Sequence, residues 1–75
     1  RGVLIQRIWP NTPAEAAGIL EGDVLVRIDG INTPSLRALQ RIMRERLAVD
    51  QEIEAEFIRS GELIVLQVIL EEMPR

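Results

Sequence analysis

Seventy-five residues suffice for one compact domain and not for two, and a chain this short buries only about 60% of the surface its unfolded form exposes. Apolar residues make up 47% and charged residues 28%, a globular composition that argues against disorder; the absence of cysteine excludes disulfides and thiolate metal sites. The net charge is −3 and every cation is an arginine, so the basic footprint of a nucleic-acid binder is missing.

In chain order, Val3–Trp9 (VLIQRIW) is rich in apolar and β-branched residues and stops at Pro10, which predicts a strand. Asn11, Thr12 and Pro13 then open a short helix. Thr12 suits the N-cap, Pro13 the first helical position, and Glu15 the return arm of a capping box; Gly18 ends it in a left-handed conformation. Glu21, Gly22 and Asp23 form a turn. A second strand follows over Val24–Asp29, with Val24, Val26 and Ile28 expected on one face and Leu25 and Arg27 on the other, and the tight-turn pair Asp29-Gly30 closes it. A longer helix is expected from about Ser35 to Leu47, capped by either Thr33 or Ser35. Leu36, Leu39, Met43 and Leu47 repeat on its apolar face, while Arg37, Arg41, Arg44 and Arg46, with Glu45 among them, face solvent.

Two strands close the chain. In Gln51–Arg59, Ile53, Ala55 and Phe57 alternate with Glu52, Glu54 and Glu56, a half-buried pattern. Ser60-Gly61 turns the chain into Glu62–Leu70, where Ile64, Leu66, Val68 and Leu70 face one way and Leu63, Val65 and Ile69 the other. A strand apolar on both faces is either central or covered by something else. The order strand, short helix, strand, long helix, strand, strand points to a small α+β domain or partly open antiparallel barrel with two helices over its openings. No stretch approaches the roughly eighteen apolar residues that span a bilayer, and no leader is recognisable, so a targeting signal is expected outside these residues. A start at Arg1 without methionine suits an excised piece of a larger protein, with residues 1–75 forming one domain.

The stretch PNTPAEAAGILEGDVLVRIDG, residues 10–30, closely resembles the signature of bacterial PDZ domains, especially those that follow the catalytic domain of HtrA/Deg trypsin-like serine proteases. Pro10, Thr12, Pro13, Ala14, Ala17, Gly18, Ile19, Gly22, Asp23, Val24, Ile28, Asp29 and Gly30 occupy the pattern. Their duties are structural: small residues let the first helix lie on the sheet, glycines permit positive φ, and Asp23 accepts backbone N–H groups in its turn. The rest of the chain follows the family by pattern. The resemblance implies the circularly permuted bacterial arrangement of the fold and no catalytic, metal or cofactor site. It implies a module that binds an extended hydrophobic peptide, often a C-terminus, by strand addition beside the long helix. Leu36, Leu39, Gln40 and Met43 of that helix, with Val3 and Ile5 of the first strand, are then the expected groove residues. The attached protease domain is the expected second partner, and the periplasm or cell envelope the expected location.

One departure stands out. Family members carry, before the strand equivalent to Val3–Trp9, a loop resembling Tyr-x-Gly-aliphatic and a further strand, which hold the ligand's carboxylate and pair with the peptide. Neither lies within these residues, either because they begin downstream of it or because this is a variant that does not bind carboxyl termini, and in both cases Val3–Trp9 is expected to present an unpaired edge open to self-association. That departure leaves two other readings: a gating or docking PDZ of a membrane zinc protease or secretion component, and a self-assembling structural domain.

Catalytic chemistry finds no support in the residue types. Histidine is absent, which removes Ser-His-Asp triads and imidazole ligands, and Ser35 and Ser60 suit cap and turn duty. Glu52, Glu54 and Glu56 lack a coordinating loop, and no GK[ST] follows Gly18 and Gly22 to make a phosphate loop. Trp9 is expected over the edge of the core, or else as an anchor for a partner.

Overall fold

Two tight hairpins and two capped helices organise the described residues, 2–45 and 51–69, of a computed structural model. The elements are β1 (Val3–Leu4), α1 (Pro13–Ala17), β2 (Val24–Ile28), β3 (Ile31–Asn32), α2 (Leu36–Glu45), β4 (Glu52–Arg59) and β5 (Glu62–Ile69). Leu47 and Leu70 lie outside the described residues. All strand pairs are antiparallel, in the order β1-β2-β4-β5 with β3 paired to β2. The result is an open antiparallel sheet with two helices, an α+β fold.

Asp29-Gly30 and Ser60-Gly61 each join two strands through two residues of positive φ, 52° and 78° in the first pair and 52° and 81° in the second. Such a turn matches the right-handed twist of the strands it joins, which sets the β2–β3 and β4–β5 registers. β3 was not expected from sequence: two residues are too few to show a period, and the turn reads as an end when it is a reversal.

α1 begins as its residues dictate. Thr12 Oγ1 accepts the Glu15 N–H at 3.3 Å, and Glu15 reaches back to the Asn11 N–H at 2.8 Å, one residue earlier than in a standard capping box. Gly18, at φ 89°, closes the helix: its N–H donates to Glu15 O and that of Ile19 to Ala14 O, both at 3.1 Å.

Two expectations need correction. The first strand does not extend to Trp9. Its partner β2 begins at Val24, opposite Leu4; after the last backbone bonds, between Ile5 and the Gly22–Asp23 turn, no ladder remains for Gln6–Trp9. Trp9 is 61% exposed, clear of the core, with the Arg7 guanidinium 5.1 Å from its ring centroid. In β2 the faces also differ, because a bulge at Val26 breaks the alternation. Leu25 lies opposite Phe57 and Arg27 opposite Glu56, so Leu25 and Ile28 are buried while Arg27 faces out. A regular strand that buried Leu25 would also have turned Arg27 inward. Of the two readings left open for the last strand, the central one does not hold: β5 ends the strand order, and Leu63, Val65 and Ile69 are exposed on its outer face.

The core lies on the inner face of the sheet and joins Ile19, Leu25, Ile28, Ile42, Ile53, Ala55, Phe57 and Val68. α1 packs against β5, with Ala14 and Ala17 half-buried on this cluster.

Candidate functional site

The position of α2 is decided at Thr33 and Ser35. Thr33 is fully buried; its Oγ1 donates to Leu25 O and its N–H to Val26 O, both at 3.0 Å, which ties the chain to the bulge. Ser35, two residues on, takes the cap, its Oγ accepting the Ala38 N–H at 3.2 Å. With that start, Ile42 is the residue of α2 buried in the core, and Leu39 is half-buried beside it.

The expected apolar stripe is therefore rotated. Leu36 is 57% exposed and Met43 41%, whereas Ile42, adjacent to Met43 in the chain, is 7% exposed. Neighbouring helical residues point about 100° apart, so α2 presents a second apolar row beside the one it buries. Leu36, Gln40 and Met43 are spaced by four and three residues and share that open face. Of the remaining expected groove residues, Val3 and Ile5 are half-buried and pack with Leu39 against the common core. The six thus divide into an open row of three and a packed group of three. β1 occupies one end of the strand order, with β2 on its single paired side.

Two ion pairs brace the sheet that carries these elements. Asp23 is 1% exposed; its carboxylate accepts from Arg59 Nε at 2.9 Å, from Arg59 Nη2 at 2.8 Å and from the Leu20 N–H at 3.0 Å. Arg59 Nη2 also donates to Gly18 O at 2.9 Å, which links the end of α1, the start of β2 and the end of β4. The Arg59 hydrogen bonds hold the Asp23 carboxyl below its ordinary range, and the Leu20 N–H adds to this against the opposing effect of burial. On the outer face Arg27 grips Glu56 with two bonds of 3.0 Å, which lowers the Glu56 carboxyl in the same sense. Arg59 was not singled out from sequence. The available signal was Asp23 itself, since a carboxylate confined to a buried turn requires a cation.

The PDZ domain family model matches residues 1–70, nearly the whole chain. The chain belongs to the PDZ family. Among its relatives, the HhoA protein of Synechocystis sp., named as a serine protease, is 37% identical over 67 residues, which cover 89% of this chain and 17% of that protein. A solved HtrA-type protease, AlgW with a decapeptide, superposes with a TM-score of 0.87 at 26% identity, over 99% of this chain and 22% of that one. The PDZ domain of HtrA3, bound to a phage-derived ligand, superposes with a TM-score of 0.77 at 22% identity, over 91% and 62%. This PDZ chain thus spans less than a quarter of the proteases it matches. It corresponds to the binding module of such proteases and not to their catalytic domain.

Proposed function

We propose that this PDZ domain, residues 1–75 acting as one unit, binds an extended hydrophobic segment of a protein, often a C-terminus, and tethers it to or regulates an attached serine protease of the cell envelope. The observation that carries the reading is the open row Leu36, Gln40 and Met43 on α2, which leaves two large apolar side chains in solvent although Ile42 already satisfies the core. An exposed apolar row on a helix beside a sheet is the arrangement that strand-addition binding uses: main-chain bonds supply affinity and side-chain pockets supply selectivity. The peptide ligands in the names of the AlgW and HtrA3 structures support the same reading, as does the serine-protease name of the HhoA relative, and the periplasmic name of a second, DegP-like relative supports the location.

Fluorescence anisotropy with labelled hydrophobic C-terminal decapeptides tests it. Met43→Glu and Leu36→Asp should each weaken binding by about tenfold or more, since each removes apolar burial from the complex and introduces a charge. Unchanged affinity in both variants would remove α2 from the binding site. A peptide amidated at its C-terminus separates recognition of a free carboxylate from recognition of an internal segment.

A further inference from the structure

Two surfaces away from the Leu36–Met43 row are complementary to each other. On the outer face of the sheet β5 exposes Leu63 (55%), Val65 (48%) and Ile69 (58%). Beside them β4 carries Ile58, Glu56, Glu54 and Glu52, in register with Leu63, Val65, Gln67 and Ile69. Arg27 occupies Glu56, whereas Glu54 receives only a 3.5 Å bond from Gln67, so among the described residues Glu52 and Glu54 stand as an acidic pair without a cation. Adjacent strands lie about 4.8 Å apart, which sets this pair directly alongside the apolar row.

The other surface is a cleft of about 410 Å³ between α2 and β3, lined by Ile31, Asn32, Pro34, Ala38, Arg41 and Ile42. Four of these residues are apolar, and Arg41 stands among them. Arg37 and Arg44, at i−4 and i+3 from Arg41, extend an exposed basic stripe along the helix; Glu45 is the one acid in α2. None of the three arginines forms an ion pair among the described residues. α2 docks through Ile42 on the inner face of the sheet, whereas the Leu63–Ile69 row is on the outer face. A single chain therefore cannot bring the two surfaces together.

We propose that a second copy of this chain seats its Leu63–Val65–Ile69 row in the α2–β3 cleft, with its Glu52 and Glu54 against Arg41 and the flanking arginines. The contact is heterologous: each copy offers a row on one side and a cleft on the other, so association propagates head to tail. Few large side chains take part, which places the contact in the small, transient class below about 1,200 Å². Its charges lie at the surface, so salt weakens it. Leu36, Gln40 and Met43 remain free, which makes the proposal independent of peptide binding.

Sedimentation velocity over a concentration series decides the matter. At low salt the average mass should rise past that of a dimer and fall back when salt is added. Val65→Arg destroys the row and Arg41→Glu the charge of the cleft, and each variant alone should remain monomeric. Mixed in equal amounts they should form 1:1 dimers that grow no further, because the intact cleft of the first accepts the intact row of the second. Ile69→Asn replaces Val65→Arg if circular dichroism shows that the latter is not folded. A mixture that stays monomeric, a wild-type chain monomeric at millimolar concentration, or a closed dimer insensitive to both substitutions each overturns the proposal.

Discussion

Asp23 and Arg59 show how one pair of side chains can hold three parts of a small fold. The carboxylate is almost completely buried and has two guanidinium bonds and a backbone N–H, so removing the cation strands a charge in the interior. Arg59→Met should therefore destabilise the fold, less than the loss of a fully buried partner because the Arg59 side chain is 30% exposed, and a lowered urea midpoint measures it. The pH dependence has a definite sign. Asp23 titrates below its ordinary value of 3.8 when folded, so between the two values the unfolded chain binds more protons and stability rises with pH. The contribution is complete above the unfolded value and disappears as pH falls through the folded one. Thermal unfolding should therefore be insensitive to this pair from about pH 7 to about pH 5 and weaken below about pH 4. Arg59→Met should flatten that acid limb, leaving the slope that Glu56 supplies in the same direction. Gly2 makes a different single-residue contribution: a Cβ there would collide with Leu25 O and Val24 Cγ1, so only glycine lets β1 lie this close to β2.

At the scale of elements, the bulge in β2 and the start of α2 form one device. The bulge lets Leu25 and Ile28 both reach the core while Arg27 turns out to Glu56, and Thr33 Oγ1 donates to the Leu25 carbonyl beside it. Thr33→Val keeps the shape of the side chain and deletes the donor. It should cost about 1 kcal/mol, because one buried hydrogen bond is lost, and chemical denaturation measures that loss. The same contact fixes where α2 begins. The substitution should therefore also disturb the Leu36–Met43 row and reduce peptide affinity, although no groove residue has been altered. Peptide titration of Thr33→Val compared with Ile53→Val, a core change far along β4, separates this effect from general destabilisation.

Across the whole molecule, stability is unevenly distributed. β4 lies between β2 and β5 and contributes Ile53, Ala55 and Phe57, each 2% exposed, whereas α2 buries Ile42 alone among its ten residues. Native-state hydrogen exchange should find the slowest amides in β4 and its β2 partner, with α2 opening at distinctly lower free energy. A peptide ligand bound along α2 should protect the helix more than the sheet. Uniform protection across α2 and β4 in the free chain would show that the helix opens only with the whole fold.

Local chemistry made much of this domain legible before any coordinates. Thr12, Pro13 and Gly18 specify the ends of α1; Asp29-Gly30 and Ser60-Gly61 specify reversals; and the strict alternation of Ile53, Ala55 and Phe57 with glutamates marks β4, because cap, turn and period-two signals depend on neighbours within a few residues. The spaced PNTPAEAAG…GD…DG pattern carried the family for the same reason. What the tertiary structure alone decided depends on residues far apart in the chain: where β1 loses its partner, which residue of β2 becomes the bulge, that Arg59 answers Asp23, and which of the two apolar rows of α2 enters the core. A 3.6-residue period counts apolar positions on a helix without saying which of two adjacent rows is buried. That choice is made by Thr33, anchored to a carbonyl eight residues earlier, and it leaves Leu36 and Met43 in solvent.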